Sequence, residues 1–496
     1  MYQIRINLNE FLSIVNKYKI KEIEVAGNLR ECKFEIYAEK IKPGDIFIAI
    51  DSSKYPNSDG ALGFTNNEDS VYGLGGYIKA SEKIEIAISN GASIIVVDSC
   101  AYYRERTTAT FICVEDCLEV LIDIARCCLA KSSVKIIAIT GSTGKTTVTN
   151  ALCDFLSVKY QVKKIERIRN SVLGIIVQIL HNLDVADDFL IVEMQLDGIG
   201  QIKRFCEVVQ PDYSIITSVN LAHYSRFKSV ETIYNEKIQV YKMLKNDGKL
   251  IINADDEMLV KKIHWQNDKR VHLVGLENKN SEILINNVGS HNLYHFHEFM
   301  VEREGCSYGT FKMNTVGRGT LYGAAFSLFF ACEYGFTMEE ICRGLLSIKN
   351  PIGRFQGFQG VNGSLVIMDS YNANYYSMVS GLDYITNLQY KRKIVVLGSM
   401  LELGEKTETE HKRLGEYIEK KCDITNLVTL GEAAMYIANE VKKISPESIF
   451  SVYDYDSALK ILQTIDIDDE TVLYFKGSGA MRMELLIPYF LEKRIF

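Results

Sequence analysis

At 496 residues the chain is too long for one hydrophobic core, and about three domains of roughly 150 residues are expected. Apolar residues make up 47% and charged residues 24%, which excludes a largely disordered chain. A formal charge of −7 argues against a general nucleic-acid binder, but leaves room for a local basic pocket that takes a phosphorylated substrate.

The opening stretch, MYQIRINLNEFLSIVNKY, mixes charged and apolar residues within single turns and lacks the apolar block of a signal peptide. No apolar run reaches the roughly 18 residues of a membrane span, so a cytoplasmic protein is expected. Residues 1–130 contain short strand-like runs, IKPGDIFIAI and ASIIVVDS. A Gly/Ser/Asn-rich segment from Asp51 to Gly76 separates them and reads as a long loop. Residues 131–350 form a second block, in which KIIAIT, FLIVEMQ, YSIITSV and KLIINAD read as strands between helical stretches. AAFSLFFAC, from Ala324 to Cys332, reads as a buried helix. Residues 351–496 repeat the alternation. SLVIMDS, KIVVLGS, NLVTLG and TVLYFKG are strands, and SMVSGLDYITNL, EHKRLGEYIEKK and AAMYIANEVKK are helices. Strands alternating with helices imply an α/β fold with parallel sheets covered on both faces. The twelve cysteines include no CxxC pair, so reduced, mostly buried thiols are expected rather than a zinc site.

The strongest local signal is ITGSTGKTTVT, residues 139–149. It follows a predicted strand and opens a predicted helix. Gly141 and Gly144 allow the backbone of Ser142 and Thr143 to curl so that N–H groups face one centre. The helix beginning at Lys145, Thr146 and Thr147 adds its positive end. Lys145 can reach the β- and γ-phosphates of a nucleotide, and the Thr146 hydroxyl can ligate Mg²⁺.

Five positions further on carry chemistry, each with a plainer reading beside it. Glu193 ends FLIVEMQ, where a carboxylate can hold Mg²⁺ or simply face solvent. His223 follows YSIITSV and, taken alone, reads as a structural or surface histidine. Lys237 shares a helical stripe with Val230, Tyr234, Tyr241 and Leu244, so it is either paired or modified, or snorkels from the stripe's edge. Arg354 and Asp369 flank the first strand of the third block, where turn positions are the plain alternative.

Together these segments resemble the Mur ligases, over nearly the whole chain. Within that family they are most similar to the branch that joins D-alanyl-D-alanine to UDP-N-acetylmuramoyl-tripeptide. DSYNANYYSM is similar to the family's DSYNANPxSM, VLGSMLELGEKTETEH to its VLGDMxELG…H, and YFKGSGAMRMELLI to its KGSRxMxME. The resemblance implies three domains: a small α/β N-terminal domain for a UDP-sugar-type substrate, a central P-loop ATPase domain and a C-terminal Rossmann-like domain. It implies an ATP-dependent ligase that activates a carboxylate as an acyl phosphate and captures it with an amine. It also implies residue roles. Lys145 contacts the ATP phosphates; Thr146 and Glu193 hold one Mg²⁺; His223 helps hold a second; and Lys237 is carbamylated into a metal ligand. Asn170, Asn253, Asp256, Arg354 and Asp369 serve the nucleotide. A monomer is expected.

The chain departs from the family pattern in places. Ala38 and Glu39 stand where Ser-Arg is usual, and the loop after Ile50 lacks the usual Gly-Asp-Gly-His. Gly319 and Gly323 replace a histidine and an asparagine. Thr217-Ser218 stands for Thr-Asn, and Ser399, Tyr375 and Gly479 replace aspartate, proline and arginine. A divergent ligase joining another carboxylate to another amine therefore stays open. So does a nucleotide-binding protein without catalysis, although the joint presence of Lys145, Glu193, His223 and Lys237 speaks against it.

Overall fold

The computed structural model describes residues 6–22, 33–50, 80–99, 101, 109–165, 172–196, 198–220, 227, 229–263, 268–289, 297–315 and 317–492. They fall into two compact units. The first comprises Met1–Thr140, Tyr160–Ile215 and Glu236–Lys249; the second comprises Gly141–Lys159, Ile216–Asn235 and Leu250–Phe496. The expected α/β architecture is present, with mostly parallel strands in each.

In the first unit, the strands Phe34–Glu35, Ile46–Ile48, Ile94–Val97 and Thr110–Val114 pair in parallel, and Lys19–Glu22 closes the far edge antiparallel. Within the strand-like run from Ile41 to Ile50, the strand itself is Ile46–Ile48. Ahead of it the chain turns, with Gly44 at φ 97° and the Asp45 carboxylate accepting the Lys42 N–H at 2.9 Å. The helix Cys117–Ala130 starts at Asp116, whose side chain accepts the Leu118 and Glu119 N–H groups and caps the first turn. Further along, Lys135–Thr140 and Phe189–Glu193 run parallel with Ile139 opposite Glu193. Both are wholly apolar at their centres, as strands covered on two faces must be.

In the second unit, Lys249–Asn253, Val271–Gly275 and Ile283–Gly289 are parallel neighbours. Two antiparallel strands, His297–Arg303 and Cys306–Met313, follow. The C-terminal sheet has the order Gln356–Gln359, Leu365–Asp369, Thr471–Lys476, Arg392–Gly398, Asn426–Leu430 and Ile449–Val452, with only the first strand antiparallel. All four strands expected in this block are present, and two short edge strands are added. Leu365, Ile367, Val395, Leu397, Val472 and Tyr474 face one helical layer; Val366, Ile394, Val396, Leu473 and Phe475 face the other. The alternation of these neighbours is the period-two geometry of a strand. The carboxyl ends of the central strands thus bring Asp369 opposite Lys476.

The loop after Arg392–Gly398 is pinned by His411, which is fully buried in the helix Thr407–Lys421. Its Nδ1 lies 2.6 Å from the Thr407 carbonyl and donates to it, so Nε2 accepts the Met400 N–H at 2.9 Å. Burial holds this imidazole below the usual histidine range, which suits the neutral ring this pairing needs. One expectation is corrected: Cys113 is disulfide-bonded rather than a reduced thiol. Among the described residues no helix is long and apolar enough to cross a membrane.

Candidate active site

The glycine turn lies in the second unit. Gly144 has φ 82°, in the left-handed region that costs glycine nothing, and caps the helix Lys145–Leu156. At Gly141 any Cβ would collide with Thr217 Oγ1. The close approach exists because residues 217–220 are bonded along the turn. Thr217 Oγ1 donates to the Thr143 carbonyl at 2.5 Å, and the Thr143 N–H donates to Ser218 Oγ at 2.9 Å. The Ser142 N–H donates to the Ser218 carbonyl at 2.9 Å, and Ser142 Oγ bonds Asn220. Thr217 and Ser218 were visible in the sequence only as a departure from the family pattern. Their role as a strap on the phosphate turn had no local signal.

Lys145 Nζ donates to the Gly141 carbonyl at 2.7 Å, which lays the ammonium back over the turn. Thr146 Oγ1 accepts from Arg354 Nη2 at 3.1 Å, and the Arg354 guanidinium stacks 4.3 Å from the Tyr371 ring centre. Thr147, buried beneath the turn, packs near Gly319. Asn253 and Asp256 brace the strap from behind. Asn253 Nδ2 donates to the Thr217 carbonyl at 3.1 Å, and the Asp256 carboxylate accepts the Val219 N–H at 2.8 Å while capping Glu257–Lys262. Burial raises the Asp256 carboxyl above its ordinary value, an effect the backbone N–H groups offset only in part. Asp369 takes Lys476 Nζ at 2.6 Å and the Tyr474 hydroxyl at 3.1 Å. Thr146, Arg354 and Tyr371 form one run of contacts, which ends two residues along the chain from Asp369.

In the first unit, Glu193 is 4% exposed, and the next residue's N–H donates to the Ile139 carbonyl at 2.7 Å. A solvated strand-end acid is therefore ruled out. Lys237 is 2% exposed at the end of the helix Val230–Lys237, which rules out snorkelling. The buried neighbours on this stretch are Ile233, Glu236, Ile238 and Val240 rather than Tyr234 and Tyr241, because the helix breaks before Gln239–Lys242. Glu236 accepts the Gly200 N–H at 2.8 Å. His223, Asn170 and the loop from Asp51 to Gly76 lie outside the described residues. The hydroxyl of Thr146 and the carboxylate of Glu193 are hard oxygen donors, which is the chemistry Mg²⁺ requires.

The two glycines of the altered segment have a packing role. The helix Arg318–Glu333 lies against the helix that opens at Lys145, and a Cβ at Gly323 would sit 2.6 Å from Ala151 Cβ. Restoring a side chain there forces the helices apart. Gly323→Asn is expected to cost about 1–3 kcal/mol, the usual range for overpacking. A urea unfolding midpoint equal to that of the unaltered protein would show that the contact is not tight.

A glycine turn opening a helix, with an arginine from a second parallel α/β sheet bonded to its threonine, defines a P-loop nucleotide-dependent α/β enzyme. Residues 139–331 match the Mur ligase middle domain and residues 353–479 the glutamate ligase domain of Mur ligases. The chain belongs to the Mur ligase family, and is an ATP-dependent, ADP-forming ligase. It is 26% identical over 421 residues to a UDP-N-acetylmuramoyl-tripeptide--D-alanyl-D-alanine ligase of Bacillus subtilis, covering 82% of this chain and 87% of that one. It is 24% identical to the ligase of the same name from Borreliella burgdorferi, covering 96% of this chain and all of its relative (100%). The crystal structure of the MurF ligase of Thermotoga maritima in complex with ADP superposes with a TM-score of 0.73 at 23% identity, covering 92% of this chain and 96% of that one.

Proposed function

We propose that this ligase adds D-alanyl-D-alanine to UDP-N-acetylmuramoyl-tripeptide in peptidoglycan synthesis. The observation that carries the reading is the near end-to-end match, 96% and 100%, to a relative bearing that activity in its name. The glycine turn, strapped and bearing Lys145, supports the ATP half of the reaction.

The γ-phosphoryl group of ATP passes to the substrate carboxylate, giving an acyl phosphate and ADP. The amine then attacks the acyl carbon, phosphate leaves, and the amine's proton is lost to solvent or base. Lys145 and the amides of residues 141–144 neutralise charge that grows on the phosphoryl oxygens. Mg²⁺, when bound, would supply further neutralisation of that charge. Two ions are proposed, held by Thr146 and Glu193 and by His223 with a carbamylated Lys237. Carbamylation would turn the buried Lys237 cation into an oxygen donor. Asn170, Asn253, Asp256, Arg354 and Asp369 are proposed to serve the nucleotide.

The test is ADP release with the purified protein, ATP, Mg²⁺, UDP-N-acetylmuramoyl-tripeptide and D-alanyl-D-alanine. Release that depends on both substrates, with a pentapeptide product by mass, is expected. Release with another carboxylate and amine, but none with these two, overturns the assignment while leaving the ligase class intact. That second reading has one observation behind it: a Cβ at Gly479 would lie 2.8 Å from the Tyr371 carbonyl, so the turn has no room for the family's arginine.

A further inference from the structure

We infer that Arg413 reads the carboxylate of the incoming amine, and so sets acceptor specificity. The inference rests on the ligase reading above. Asp369 ends a strand at the carboxyl edge of the C-terminal sheet, the edge at which parallel α/β sheets bind ligands. Residues 370–374 turn there, and the helix Tyr375–Asn387 begins. The Arg413 guanidinium, from the neighbouring helix Thr407–Lys421, lies 3.7 Å over the Tyr375 ring and 5.5 Å from that of Tyr376. The platform is fixed. Tyr375 packs edge-on against Tyr376 and Tyr417 and rests on the sheet's core, and the Tyr417 hydroxyl donates to Asp383.

The guanidinium is held over the Tyr375 ring and hydrogen-bonded to Tyr375 and Tyr376, and with five N–H donors it still has some to offer a carboxylate, whose geometry its fork matches. Arg413 remains 43% exposed, and its ion pair, Glu410 at 3.4 Å, engages a single nitrogen. Two other cations at this edge are held inside the fold. Lys476 is held by Asp369, and Arg354 by Thr146 and Tyr371. Position 479 presents no side chain, and its backbone has no room for one against Tyr371. An amino-acid or dipeptide acceptor carries a carboxylate beyond its nucleophilic amine, and Arg413 is placed to take it.

The test compares D-alanyl-D-alanine with its C-terminal amide in the full-length enzyme at saturating ATP and UDP-substrate, for Arg413→Ala, Arg413→Gln and Arg413→Lys. The alanine and glutamine variants should raise KM for the dipeptide about 10- to 100-fold, the loss of a charged hydrogen bond, with kcat near its original value. KM for the amide and for ATP should not change, and the lysine variant should recover part of the loss. An unchanged KM for the dipeptide, or equal losses for dipeptide and amide, overturns the inference alone. No turnover of either acceptor by the unaltered enzyme overturns the assigned acceptor and this inference with it.

Discussion

Lys145→Ala is expected to lower ATP-dependent amide formation by about 10²- to 10³-fold, the loss seen when one preorganised donor to a developing oxyanion is removed. The ammonium lies back on the Gly141 carbonyl at 2.7 Å, at the mouth of the turn where phosphates bind. A nucleotide must draw it off that carbonyl, so its charge is spent on phosphate oxygens rather than on the loop. The turn itself should survive the change. It is held by Thr217, Ser218 and Asn220, and none of those bonds involves the lysine. Substrate-dependent ADP release and trapping of the acyl phosphate by hydroxylamine measure the effect. Activity within tenfold of the original would remove Lys145 from the reaction.

Lys476→Met should be the most destabilising single change in the C-terminal sheet. Lys476 is 2% exposed, and its Nζ lies 2.6 Å from Asp369. Removing one partner of a buried ion pair leaves the other charge uncompensated, typically at about 3–5 kcal/mol. The Tyr474 hydroxyl at 3.1 Å would be left as a neutral donor to Asp369. The paired change Lys476→Met with Asp369→Asn removes both charges and should restore much of the lost stability, because no buried ion remains. Urea midpoints for the two single variants and the double variant decide it. A double variant no more stable than Lys476→Met alone would show that lysine packing, not charge pairing, is what matters there.

Much of the α/β character was legible along the chain. The four apolar runs of the last block all became parallel strands, since a strand covered on both faces needs near-continuous apolar residues. The antiparallel pair His297–Arg303 and Cys306–Met313 escaped notice. Cys306–Met313 is largely exposed or half-exposed and buries only Phe311 and Met313, so no apolar run announces it. The edge strands Gln356–Gln359 and Ile449–Val452 were missed for the same reason. At the site, the glycine turn was readable because strand, turn and helix are consecutive. Lys237 was recognised as odd because a cation sat among apolar residues, but which face it shared depended on a helix break that periodicity does not show.

The features legible along the chain are local ones. Gly144 can adopt its positive φ, Lys145 and Thr146 stand at a helix start, and alternating runs build parallel sheets, because these depend on neighbours a few residues apart. Partnership over distance came only with the fold. Thr217 and Ser218 strap a turn 74 and 75 positions upstream, Arg354 reaches Thr146 across 208 positions, and Gly323 admits Ala151. Apolar periodicity tells each element that it must be buried, but not against what. Hydrogen bonds between distant polar side chains leave no period at all.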